Sequence, residues 1–478
     1  MQSPAQIQAA IDICQNIFDQ KNIPADKLLS AYFRERRYIG SKDKRAIATC
    51  MYSALRRVPR YSRLTGDNAR LLMLMVLRDE NQLTIPDLRE IFNGNAYSPD
   101  SLTKQEMCQL EAPEVLTKAE ELAISEELYP FFLESLPMKV CEDLSAAYLT
   151  EGTFDVRVNT LKSTREAVLV LLMADGYEVS ATTLSPIGIR FNKRQALEGH
   201  PLFKEGVIEV QDEGSQLIAL SCEASSKMTV LDYCAGAGGK TLALAAAMQN
   251  KGQLFACDIH DWRLKRARER IRRADVHNVR CQQADDPKFL KRHQKFFDRV
   301  LVDAPCSGTG TWRRNPDMKF KTTSNDIAEL QAVQRSILTK VAPLVRPGGW
   351  LIYATCSVFK AENQDQITWF LENHPEFKLI TEDPLVECVA EQANEVVSGQ
   401  QEAPKPIVKP VSRAVFYENL HKKITQENEI GDNAYGVQLL PHLHATDGFF
   451  ISILRRQQEP LPKMVSEDET LSKDSELL

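Results

Sequence analysis

The chain has 478 residues, a formal net charge of −6 and 43% hydrophobic residues. That length accommodates about three domains, the apolar content excludes a globally disordered chain, and the acidic balance excludes a protein that coats nucleic acid by bulk charge, although a local basic patch still attracts phosphate. Eleven scattered cysteines, with no CxxC pair, argue against a disulfide framework and for a reducing, cytoplasmic setting with no metal site. No basic segment followed by an apolar run opens the chain, and no stretch approaches ~18 apolar residues, so neither a signal peptide nor a membrane span is expected.

Residues 4–80 read as helical. Ile7, Ile11, Cys14, Ile17 and Phe18 recur at helical spacing. Pro24 opens a second helix carrying Leu28, Leu29, Tyr32 and Phe33, and Ser41 to Asp43 cap a third with Ile47, Met51, Ala54 and Leu55. Cations cluster here: Arg34, Arg36, Arg37, Lys42, Lys44, Arg45, Arg56, Arg57, Arg60 and Arg63. They form either a solvated bundle face or a phosphate-contacting surface. Cys14 and Cys50 fall on apolar faces and belong to the core. Residues 81–115 are polar and turn-rich, which predicts the end of the bundle and a linker. This first domain spans 1–115.

Helices are predicted over 116–123 and 128–136. The run FDVRVNTL at 154–161 alternates and is β-branched, so it reads as a strand. Arg157 and Asn159 share one face of it, as edge residues or as RNA contacts. A helix over 165–174 and strands over 177–181 and 188–191 complete a small α/β module, residues 116–205.

From 206 onward strands alternate with helices. Strands are expected at 229–232, 253–257, 278–282, 297–302 and 350–354, with helices at 241–248, 262–273 and 327–345. That alternation predicts a Rossmann-like, doubly wound parallel sheet over 206–455. Residues 381–435 break the pattern as an irregular insertion, with 415–420 locally ordered. Residues 438–440 and 448–454 resume β character as an edge hairpin, and 456–478 form a mobile tail.

Three features carry chemistry. The turn DYCAGAGGKT, residues 232–241, places Gly236, Gly238 and Gly239 between a strand and a helix, where backbone amides are free to meet a ligand. It lacks the spacing of a Walker A loop. Asp258 ends the next strand, where an acid accepts ribose hydroxyls. Asp285 ends the third, with Asp286 competing for the role. The stretch RVLVDAPCSGTG, 299–310, then delivers Asp303 and Cys306 to a strand end, and ATCS, 354–357, does the same for Cys356. One acid and two thiols over one crevice suit sulfur attack on an electron-poor ring. Both sulfurs should open onto the same pocket. Arg313 and Arg314, beside this turn, are candidates for gripping phosphates.

Together with RRNPD at 313–317, RPGG at 346–349, DGFF at 447–450, RVNTLK at 157–162 and VQDEGSQ at 210–216, these motifs resemble the RsmB/NOP-type (NOL/NOP/Sun) RNA cytosine-5 methyltransferases. The resemblance covers roughly 117–380 and 436–455, and the first domain is similar to a NusB-like helical module. The resemblance implies S-adenosylmethionine as cofactor. Cys234, Ala235, Gly236, Ala237, Gly238, Gly239 and Lys240 would hold its methionine portion, Asp258 its ribose and Asp285 its adenine end, with Arg263 matching a family arginine. It also implies that Cys356 is the nucleophile, that Cys306 promotes product release, and that Asp303 meets the cytosine edge and the cofactor. Residues 235–240 depart from the family's usual Ala-Ala-Pro-Gly-Gly-Lys in losing a proline, which removes no polar contact. The expected partner is RNA, ribosomal RNA first, with the chain monomeric. Two rivals are a tRNA or DNA cytosine methyltransferase, which in the DNA case would use Cys306 as nucleophile, and a non-catalytic RNA-binding assembly factor on the same fold.

Overall fold

A computed structural model describes residues 3–112, 115–380 and 435–458. Apart from residue 435, the expected insertion lies outside the described residues, as does the tail from 459. Among the described residues no helix is long and apolar enough to cross a membrane, and all ten described cysteines are free.

The first region is helical throughout. Helices Pro4–Asp19, Ala25–Glu35, Ser41–Arg56 and Val58–Thr65 surround Ala69–Glu80. Every residue from Leu71 to Leu77 is buried, as befits a central helix that is apolar on all sides. Where composition predicts a linker, two more helices form, Ile85–Ile91 and Lys104–Glu111. Each starts with a capping box, Thr84 with Asp87 and Thr103 with Glu106. That reciprocal satisfaction of end amides outweighs the polar composition. Leu88, Ile91, Phe92 and Leu110 join the core.

The short helices at Tyr129–Ser135 and Met138–Tyr148 share a core with Trp312, Phe359 and Leu440, so they pack on the large sheet's side of the molecule. The small module is a four-stranded antiparallel sheet of β1 (Phe154–Val158), β2 (Val179–Ala181), β3 (Gly188–Phe191) and β4 (Ile208–Val210), in the order β2-β3-β1-β4. The boundary expected at 205/206 therefore cuts through this sheet.

The large sheet holds β5 (Thr229–Asp232), β6 (Gln253–Asp258), β7 (Val279–Gln283), β8 (Phe297–Asp303), β9 (Val345–Thr355), β10 (Phe377–Leu379), β11 (Val437–Leu439) and β12 (Phe449–Arg456). Its order is β10-β12-β9-β8-β5-β6-β7, with β11 paired to β12. From β7 to β9 all pairs are parallel. The chain leaves β5 toward β6 and later returns to β8 on the other side. That reversal opens a crevice at the carboxyl ends of β5 and β8. One expectation is corrected: β12 is not an edge strand. It runs antiparallel between β9 on one side and β10 and β11 on the other.

The small sheet is welded to the helix Asp261–Arg273 of the large domain. Glu209 pairs with Arg270 at 3.0 Å and with Arg273. Asn159 Nδ2 donates to the carbonyls of Gly206 and Ala274 at 3.0 and 2.9 Å. Arg157 Nε donates to Gln211 Oε1 at 2.7 Å. Both residues are buried: Asn159 joins the small sheet to the large domain, and Arg157 is held beside β4. The cations of the helical region also divide. Arg56 donates to the Arg313 carbonyl at 3.0 Å, while Arg57 pairs with Glu80 and Arg63 with Glu120. Arg34, Arg37, Lys42 and Arg45 stay exposed.

Candidate active site

The turn after β5 is built by two glycines in the left-handed region, Gly236 at φ +56° and Gly238 at φ +82°. A Cβ at Gly236 would meet nothing within 4 Å, so this is the open side of the turn. At Gly238 a Cβ would press on Ala267, which fits a turn-forming role. Asp258 clamps the turn from β6: its carboxylate, 3% exposed, accepts from Gly236 N–H at 3.0 Å and His260 N–H at 2.8 Å. Arg263 approaches it at 3.7 Å. Asp285 lines the same cavity and pairs with Lys340 at 3.0 Å, while Asp286 caps the next helix through Lys288 N–H.

Asp232 was not singled out by sequence reasoning, yet it sits at the floor of this cavity. One carboxylate oxygen accepts from Thr241 Oγ1 at 2.7 Å; the other, Oδ1, is buried without a partner. Burial pushes the group up to about 7, with Thr241 and Lys240 working against it. A ligand that brings an ammonium group, directly or through water, satisfies that oxygen. The only signal in the sequence is its place as the last residue of a buried strand.

Beside it lies the thiol site. Asp303 and Ala354 are register partners on parallel strands β8 and β9, so the chain segments leaving them start side by side. Cys306 Sγ and Cys356 Sγ come within 3.4 Å, both half-buried. The Cys306 thiol is pushed well above its usual range by its hydrogen bond to Cys356 and by burial. Lys240 reaches across from the β5 turn and pairs with Asp303 at 2.6 Å. Burial pulls its ammonium down, but Asp303 more than offsets this, with Asp232 and Cys356 adding to the upward pull.

Asp232, the glycine turn, Asp258, Asp285 and the Lys240–Asp303 pair border one groove of about 2720 Å³. Its lining includes Cys234, Ala235, Gly236, Ala237, Gly239, Lys240, Asp258, Arg263, Asp285, Asp303 and Pro305 from the large domain. Phe154, Lys193 and Arg194 of the small module and Arg45 and Tyr52 of the helical region form the remaining walls. Gly238 is not part of the lining. Nor are the two cysteines, so the expectation that both sulfurs open onto this pocket is corrected: their chain neighbours Asp303 and Pro305 line the groove, and the sulfurs do not.

Arg313 and Arg314 line the same groove, but carboxylates already engage them. Arg314 bridges Asp212, at 2.7 Å, and Asp447, and the buried Arg313 lies 3.5 Å from Asp447. Gly310 and Gly448 pack backbone to backbone, with Gly448 N–H donating to Gly310 O at 2.9 Å. The RRNPD, VQDEGSQ and DGFF motifs thus brace the Cys306 loop.

A doubly wound sheet with a glycine turn after its first strand, an acid clamping that turn from the second, and a polar groove at its carboxyl ends defines a methyltransferase, with S-adenosylmethionine as its cofactor. The open side of Gly236, the clamped Asp258 and the unpartnered Asp232 oxygen fit that cofactor. A family model described as 16S rRNA methyltransferase RsmB/F matches residues 219–455, and one for the RsmF/B-like ferredoxin-like domain matches 132–198. A probable ribosomal RNA small subunit methyltransferase B of Bacillus subtilis is 32% identical over 342 residues, covering 71% of this chain and 68% of the relative. The chain belongs to the RsmB/F methyltransferase family. The crystal structure of PH0851 superposes at a TM-score of 0.69 with 24% identity, over 94% of this chain and 98% of that one. A methyltransferase homolog from Pyrococcus horikoshii does so at 0.53 with 25% identity, over 71% and 97%.

Proposed function

We propose that the protein methylates carbon 5 of a cytosine in small-subunit ribosomal RNA, through a covalent bond between Cys356 and carbon 6 of the base. The observation that carries this reading is the thiol pair at 3.4 Å beside the Lys240–Asp303 ion pair. S-adenosylmethionine supplies the methyl group as an electrophile. Cytosine carbon 5 is too weak a nucleophile to take it unaided, and the protein's part is to raise its reactivity.

The Cys356 thiolate adds to carbon 6, and the ring's displaced electron pair makes carbon 5 nucleophilic. Lys240 and Asp303 offer a donor and an acceptor to the polar edge of the base and stabilise the charge that develops there. After transfer, carbon 5 must lose its proton so that the double bond re-forms and sulfur departs. Cys306 is suited to take that proton. Its thiol is held protonated chiefly by its hydrogen bond to Cys356; once Cys356 is bonded to carbon that contact is lost, and Cys306 can release its own proton to water and then accept the one from carbon 5. Its position in the resting pair favours Cys356 as the nucleophile over Cys306, which weighs against the DNA-type assignment. The target base must leave any stack to reach the thiols, as unpaired RNA segments allow. The helical region and the small module wall the groove and serve in this reading as RNA-contacting domains.

The test uses the full chain, S-adenosylmethionine and a small-subunit rRNA fragment. Cys356→Ala should abolish both methyl transfer and the denaturation-resistant protein–RNA adduct. Cys306→Ala should accumulate that adduct. Adduct formation by Cys356→Ala but not by Cys306→Ala would reverse the roles, and 5-methylcytosine production by the double variant would refute the mechanism.

A further inference from the structure

Behind the two thiols lies a buried carboxylate that the chemistry above does not use. Glu362 is fully enclosed, carried on the short turn Lys360–Glu362 that follows β9. Four donors converge on its two oxygens. Oε1 accepts from Ser307 N–H at 2.8 Å and from Gln334 Nε2 at 3.1 Å. Oε2 accepts from the Ser307 hydroxyl and from Ser357 Oγ at 2.6 Å. Ionised carboxylates only accept, and every partner here donates. No Lys, Arg or His pairs with it among the described residues.

The identity of those donors is informative. Ser307 directly follows Cys306, and Ser357 directly follows Cys356. One carboxylate therefore ties together the residues adjoining both sulfurs. Gln334, on the long helix Ser324–Val341, also donates to Pro305 O at 3.0 Å, which fixes the other flank of Cys306. A buried carboxylate without a cation is costly to keep, so a core serving stability alone would do better with apolar groups.

We propose that Glu362 is a positioning residue for the thiol pair: it holds the two sulfur-bearing loops at their working separation, and its negative charge keeps the proton on Cys306 so that Cys356 alone is presented as the nucleophile. The charged and titratable groups around Cys306 are Cys356, Glu362 and Tyr353. Those around Cys356 include Cys306, Lys240 and Tyr148. Two of the four donors to Glu362 come from Ser307, so the carboxylate lies against the Cys306 loop, while Lys240 acts on Cys356. This inference rests on the assignment of Cys356 as nucleophile, but its first readout, thiol alkylation, needs neither RNA nor cofactor.

The full-length protein is alkylated with iodoacetamide from pH 6 to 10, and the rates at Cys306 and Cys356 are read by peptide mass spectrometry. In the wild type Cys356 should react first across this range. Glu362→Gln keeps the side chain's length and removes its charge; the preference for Cys356 should fall by about tenfold or more, as expected for loss of a nearby low-dielectric charge. Glu362→Asp keeps the charge and withdraws it from the serines; the alkylation preference should persist, while RNA-adduct formation slows at unchanged cofactor affinity. A purely structural role predicts that both variants follow their melting temperatures together. An unchanged thiol preference in a folded Glu362→Gln protein overturns the inference and leaves the methyltransferase reading standing. Where Glu362→Gln does not fold, Glu362→Asp decides: loss of the thiol preference in that variant overturns the charge role. A shifted preference in a protein that forms no RNA adduct would instead indict the proposed reaction.

Discussion

Replacing Lys319 with methionine should stabilise the protein at neutral pH, and the gain should fade as pH rises. Lys319 lies in the helix Met318–Lys321, at the joint between the helical region and the large domain. It is 0% exposed, and its Nζ donates to the Arg56 carbonyl at 3.0 Å. Burial, with the cations of Arg57 and Arg56 adding to it, pulls its ammonium from 10.5 down to about 7. The folded state thus binds the proton less tightly than the unfolded chain. Below pH 7 both states carry the proton and the full penalty applies. Between 7 and 10.5 the unfolded state holds more protons, so wild-type stability rises with pH. Each pH unit is worth about 1.4 kcal/mol, so the full window approaches about 5 kcal/mol. Methionine forfeits one hydrogen bond, about 1 kcal/mol, which leaves a net gain of about 4 kcal/mol at pH 6.5. Denaturant unfolding of both proteins at pH 6.5, 8 and 9.5 measures the difference, and other titrating groups cancel in the subtraction. A Lys319→Met protein that is less stable at every pH, or a gap that does not change with pH, would refute the reasoning.

Asp258→Ala removes the acceptor for two turn amides and should weaken S-adenosylmethionine binding by about tenfold to a hundredfold, as loss of charge-assisted hydrogen bonds implies; unchanged affinity by calorimetry would take Asp258 out of the cofactor site. Lys193→Ala with Arg194→Ala strips two cations from the groove wall. It should lower RNA affinity evenly across sequences and reduce the salt-dependence slope by about 2; an unaltered slope would place the RNA elsewhere. Asp303→Asn leaves the Lys240 ammonium buried without its carboxylate. It should abolish turnover and cost about 3 kcal/mol at pH 7. In the wild type Lys240 sits above its ordinary value, so its stabilisation persists until pH exceeds 10.5. In Asp303→Asn burial is opposed only by the weaker pull of Asp232 and Cys356, so stability should instead recover as pH rises toward 10.5, and a flat profile would contradict the pairing.

The large sheet was legible because buried parallel strands read as short apolar runs and because the residues that end them are unusual. Asp303, Cys306 and Cys356 announce themselves: nothing in core packing requires an acid, a proline and a thiol in succession. The helices at Ile85–Ile91 and Lys104–Glu111 were missed because polar composition was weighed above two capping boxes plainly present in the sequence. The misreading of Arg157, Asn159, Arg313 and Arg314 has another cause. Their partners Gln211, Ala274, Asp212 and Asp447 lie 54 to 134 positions away along the contacts they make, and no local pattern distinguishes a polar side chain that will find such a partner from one left in water. Charge at a motif signals that electrostatics matter there, not which phase the charge ends in.

The parallel sheet brings its two sulfurs together almost symmetrically, each a few residues beyond a paired strand position, and symmetry is the difficulty. Two thiols 3.4 Å apart cannot both ionise, because each anion raises the other's affinity for its proton. Left alike, the pair would share one charge and present no defined nucleophile. What distinguishes them comes from outside the two strands. Lys240, from the first turn of the helix Gly239–Ala247 that follows β5, places positive charge near Cys356, whereas Glu362, from the turn after β9, places negative charge near Cys306. In the proposed mechanism the covalent step would reverse the asymmetry, since bonding Cys356 to carbon removes the hydrogen bond that holds the proton on Cys306. A proton acceptor would then become available at the stage where carbon 5 must give up its proton.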